Sequence, residues 1–162
     1  MWQFGPTGTK VLKTVHICCV TLWMGGLLAW LPLINSMELT DLGASRTTYQ
    51  NLRTIAWNVI GWGGIGSFFT GLLNGMLTHW GLFRHRWIVL KLLLTIGMIL
   101  FGMFYTERKM LVNLSLLDQG DPAILQDPLF LTNHHTLQLV VPMQLIVFFL
   151  IVLISVVKPP LR

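Results

Sequence analysis

The sequence predicts an all-α protein, a bundle of four antiparallel transmembrane helices, on three observations. Only 10% of the 162 residues are charged and 54% are hydrophobic, whereas a soluble domain carries about 25% charged residues. Mean hydropathy is +0.68. The uncharged residues gather into long runs, the first being TVHICCVTLWMGGLLAWLPLI, Thr14–Ile34. As a helix this run reaches roughly 30 Å, the thickness of a hydrocarbon core. A single integral membrane domain covers residues 1–162, and its partner is the lipid bilayer. The pI near 9.7 does not point to nucleic acid, because the few basic residues sit where loops meet apolar runs.

The first span runs from about residue 10 to residue 33, after a short tail broken by Gly5, Pro6 and Gly8. It is too long for a cleaved signal peptide, and no A-x-A pattern follows it. Cys18 and Cys19 are adjacent within it, so they leave a helix in different directions and read as apolar filler. Residues 35–51 read as a polar loop. The second span, about 52–79, is rich in glycine. Gly61, Gly64, Phe68, Gly71 and Gly75 step by three and four, which is one helical stripe continuing to His79. Two readings of that stripe stand: close packing of another helix against small residues, or a flat cofactor lying on the groove. The third span, about 86–107, keeps apolar spacing through Met110, Leu111, Leu114 and Leu117, so its helix extends to about 117 outside the membrane core. Asp121-Pro122 and Asp127-Pro128 are helix starts, Asp as N-cap and Pro at the first position. They predict a short extracytoplasmic helix near 122–126 and a fourth span of about 135–157, with Pro142 inside it and Pro159 and Pro160 beyond it.

Four spans place both termini on one side. That side carries Lys10, Lys13, Arg84, Arg86, Lys91, Lys158 and Arg162, and the other carries Arg46, Arg53, Arg108 and Lys109. The basic excess makes the first side cytoplasmic, with N-in and C-in topology in a bacterial inner membrane.

Ionisable residues inside spans are expensive, roughly 2.5–3.5 kcal/mol for Lys, and so point to chemistry. His16 lies early in the first span, His79 at the end of the second and Lys91 early in the third. Antiparallel helices bring the start of one to the level of the end of the next, so these residues share a depth. His16, Trp23 and Trp30 recur every seven residues on one stripe. Imidazole is a common axial ligand of haem iron, and haem fits between helices against small residues. Candidate cofactor-binding residues are therefore His16, His79, Lys91, Trp23, Gly64, Gly71 and Gly75, with Arg84 and Arg86 for the propionates and His16 and His79 on the metal. The plainer alternatives are interfacial roles for His79 and His85 and a Lys91 that snorkels to headgroups. His134 and His135, adjacent on the other side with Gln138 a turn later, read as a wet interfacial pair rather than a small metal or quinone site with Asp127.

Three features resemble a known group: His16, Trp23, Gly25 and Gly26 as H-x6-W-x-G-G, Thr70-Gly71 in the glycine-rich span, and RWIVLK, Arg86–Lys91, opening the third. They resemble the CopD-like small four-helix integral membrane proteins, including an uncharacterised bacterial branch, and more distantly the HemJ-type protoporphyrinogen oxidases. The resemblance covers roughly residues 10–105. It implies a b-type haem associated with His16 and Lys91. The chain departs from the oxidase type where its third span ends in ILFGMFYTERK and in the added segment 107–133, so the uncharacterised branch fits better. Two functions compete: a haem-binding membrane oxidoreductase, and a non-enzymatic subunit, scaffold or metal-handling protein. Glycine faces suit either a homo-oligomer or a larger membrane complex.

Overall fold

The computed structural model describes residues 5–77, 81–82 and 85–158, and among these every regular element is a helix. Helix α1 spans Pro6–Asn35 and α2 spans Leu42–Ile55. A π-helical stretch, Ala56–Gly61, joins α2 without a break to α3, Trp62–Leu77. Helix α4, Arg86–Phe101, passes through a second π-helical stretch, Gly102–Thr106, into α5, Glu107–Leu117. A 3-10 turn at Pro122–Gln126 precedes α6, Pro128–Val157.

Three of these rods are long and apolar enough to cross a membrane: Pro6–Asn35, Arg86–Leu117 and Pro128–Val157. Their outward faces agree with that. On α6 the residues Leu139, Met143, Ile146, Leu150, Leu153 and Val157 are all exposed and step by four and three, an unbroken apolar stripe that suits lipid rather than water. Helix α3 is not among the three, since glycine adds little hydropathy and Asn74 subtracts from it.

Residues 35–51 are mostly helix, not loop. Asp41 supplies the reason: its carboxylate accepts the Ala44 N–H at 2.9 Å, an N-cap that starts α2. Asp121 and Asp127 act as the sequence predicts. Asp121 accepts from the Ala123 N–H at 2.9 Å, and Asp127 from Leu129 and Phe130 at 2.8 and 3.1 Å.

Paired residues show neighbouring helices running in opposite directions. Along α1 and α3, Gly26 meets Ile60, Trp23 meets Gly63, Cys19 meets Gly66 and His16 meets Gly71. Arg46 bonds Asp118 at 2.6 Å and Arg53 bonds Glu107 at 3.3 Å, so α2 and α5 are likewise antiparallel. Backbone approach is closest at Gly63, where a Cβ would stand 2.5 Å from the Trp23 nitrogen and 2.8 Å from its Cα. Glycine is there because the neighbouring backbone occupies the side-chain space.

Packing is uneven along the bundle. The fully buried large side chains, Trp30, Ile34, Tyr49, Leu52, Met110 and Phe130 among them, gather at one end. There Trp30 donates its indole N–H to the Leu52 carbonyl at 2.9 Å. Asn113 donates to the Tyr49 hydroxyl oxygen at 2.8 Å and to the Phe130 carbonyl at 3.0 Å. Tyr49 therefore turns its own proton toward Nδ1 of His134, 3.1 Å away. His134 is buried, contrary to the wet pair expected, because this network satisfies it. His135 alone is exposed, against Gln138. The opposite end, around His16 and Lys91, is only partly filled.

Candidate functional site

The open end holds a cleft of about 390 Å³ between α1, α3, α4 and α6, within the range of small-molecule sites. His16, Trp23, Gly71, Gly75 and Lys91 all line it, so five of the nine residues selected from sequence meet on one surface. Phe68, Phe148, Ile151 and Leu92 make most of the rest apolar. Trp23 forms the floor, 5% exposed and edge-on to Phe148 at 5.5 Å between ring centres.

The His16 ring is fixed by a specific contact. Its Nδ1 lies 2.9 Å from the Thr70 hydroxyl. That hydroxyl already donates its single proton to a main-chain carbonyl one turn back, at Gly66, 2.6 Å away. Thr70 can only accept from the imidazole, so the proton sits on Nδ1 and the lone pair on Nε2. The ring also meets the Ser67 backbone, and no described side chain bonds Nε2. A ligating histidine is held in this way, with the far nitrogen bonded and the near one bare. Gly71 gives the ring its place, since a Cβ there would stand 3.2 Å from Cε1.

Lys91 is half-buried on the cleft wall, and no described residue pairs with its ammonium. A cation so placed has no counter-ion among the described residues and suits an anionic or electron-donating group of a ligand. Lys13, not selected from sequence, stands on the same cleft. Its signal was its position one turn before His16.

The other selected residues fall elsewhere. Gly64 lies on the far face of the Trp23 indole, where a Cβ would stand 3.5 Å from the ring, and it lines a different cavity. Gly75 borders the cleft, but the Leu82 side chain takes the space beside it, 2.6 Å from a Cβ. Arg86 is exposed at the start of α4 and does not line the cleft. His79 and Arg84 lie outside the described residues. Cys19 packs on Gly66 while Cys18 faces outward, which is the role of filler.

Among the described residues no three His, Cys, Asp or Glu side chains come together as a metal site. The donor set among the described residues is one imidazole with an amine on the same cleft, which an iron taking its other ligands from a macrocycle would fit. No family model, curated protein or solved structure matches this chain, and the geometry of the cleft stands by itself.

Proposed function

We propose that the chain is a bacterial inner-membrane protein that binds b-type haem in this cleft and has a redox role. The carrying observation is the His16–Thr70 bond, which leaves Nε2 without a side-chain partner beside a mostly apolar cleft. His16 would hold the iron, Lys91 would meet the iron or a propionate, and Lys13 would pair with a propionate in place of Arg86. Bound haem supplies one-electron chemistry, while the protein supplies ligation, burial and charge pairing. The uncharacterised CopD-like branch is the class proposed, with protoporphyrinogen-oxidase-like activity as its narrower form.

The same reading takes Ala56–Leu77 as a fourth span. Its length of roughly 30 Å suffices, and its packing on α1 through Gly63 and Gly66 substitutes for high hydropathy. Both termini are then cytoplasmic, with the cleft in the cytoplasmic half and the Tyr49 network toward the outside.

The test is colour. Protein purified from haem-replete cells should carry a Soret band at about one haem per chain, and His16→Ala should remove it. A colourless wild-type preparation refutes the proposal and leaves the non-enzymatic subunit.

A further inference from the structure

A second cavity, of about 380 Å³, lies on the other side of Trp23. Its two walls are the two π-helical stretches: Ala56, Trp57, Ile60 and Gly61 from one, Gly102, Met103 and Phe104 from the other. π-helical turns recur at functional sites, because the extra residue breaks the regular ladder and re-aims side chains. Two of them facing each other across one cavity is a specific arrangement.

The polar groups define what it could hold. Gln144 of α6 is 9% exposed and lines the cavity. It makes no hydrogen bond among the described residues. Its Nε2 lies beside Gly102, at 3.9 Å from where a Cβ would stand. Its amide atoms stay accessible from the cavity rather than sealed in the core, so a ligand oxygen there can accept the amide N–H. Glu107, the one acid on the wall, is already committed. It accepts from the Arg53 guanidinium at 3.3 Å and from the Trp57 indole at 3.0 Å. The cavity therefore asks for no cation. Asn58, also on the wall, donates to the Thr54 carbonyl at 3.1 Å, and the rest is mostly apolar, with the Trp23, Trp57, Trp62 and Phe104 rings around it.

We infer that this cavity between the π-helical stretches binds an uncharged planar ring compound dissolved in the bilayer, with a ring oxygen taken by Gln144: the chemistry of a quinone headgroup. The inference goes beyond the haem reading and does not rest on it.

The probe is a benzoquinone with a decyl tail, titrated into the protein in lipid nanodiscs, with tryptophan fluorescence as the readout. The expected result is saturable quenching at one quinone per chain. Gln144→Leu, which keeps the size and removes the amide, should weaken binding at least tenfold. Gly102→Leu, which fills the space beside the amide, should abolish it. Circular dichroism should show both variants helical. Quenching that rises without saturation marks a cavity filled by lipid chains and overturns the inference. So does equal binding by wild type and both variants. Quinone binding is scored whatever the haem content, so either reading can fail while the other survives.

Discussion

At the scale of single residues, the protein uses hydroxyl groups to decide where protons sit. Thr70 spends its proton on the Gly66 carbonyl and so forces the His16 proton onto Nδ1. Thr70→Val keeps the shape and removes the acceptor. Loss of such a supporting contact typically costs 10–100-fold in affinity for the metal group, so haem should be retained but released that much more readily on titration with apomyoglobin. Tyr49 works alike at the other end, and burial pushes its hydroxyl above the usual tyrosine range. A raised value favours the protonated form in the folded state. That contribution is intact below pH of about 10 and is lost as pH rises further. Tyr49→Phe strands Asn113 and His134 and should cost about 1–3 kcal/mol, read as a lower chemical-denaturation midpoint. His16 and Lys91 were legible from sequence as ionisable groups in apolar runs. Thr70's part was not, since a threonine in a span usually bonds only its own helix.

At the scale of elements, what the sequence hid was register. The glycine stripe chosen by spacing was Gly61, Gly64, Phe68, Gly71 and Gly75, yet α1 is met most closely at Gly63 and Gly66. The π-helical stretch Ala56–Gly61 adds a residue to a turn and separates Gly61 from the α-helical spacing that follows. Within α3 the Trp23 ring divides the rest of the stripe: Gly64, against that ring, borders the cavity beyond it with Gly61, while Phe68, Gly71 and Gly75 border the His16 cleft. No composition signal marks a π turn. Helix α2 was missed for another reason: LGASRTTYQNLRTI is polar by membrane standards, and its amphipathic face shows only once Tyr49 and Leu52 are seen buried. The packing makes a sharp prediction. Gly63→Ala sets a methyl against the Trp23 backbone, which cannot swing aside, and should destabilise by about 1–3 kcal/mol. Gly25→Ala, with open space around its Cβ position, should leave the melting temperature within a degree or two. Equal effects at the two positions would break the register described.

At the scale of the whole molecule, the bundle is closed at one end and open at the other. The all-helical class and helices able to cross a membrane were legible, because apolar run length and scarce charge are properties of the chain that packing does not alter. The meeting of His16 with the end of the glycine-rich helix was legible too, since antiparallel rods must align start with end. The walls of the cleft were not, because Phe148 and Ile151 arrive from α6, more than a hundred residues away in the chain from His16. The sidedness proposed from basic residues predicts that cysteines placed at positions 5 and 158 react with a membrane-impermeant maleimide only after the cells are opened. Labelling of either in intact spheroplasts would reverse the orientation. The central claim is that Nε2 of His16 holds the haem iron, and the visible spectrum of His16→Gly protein with and without added imidazole tests it most directly. The account predicts that the variant loses the Soret band and that imidazole, entering the space left by the side chain, restores it when haem is supplied. A variant that keeps the wild-type band without imidazole would contradict it.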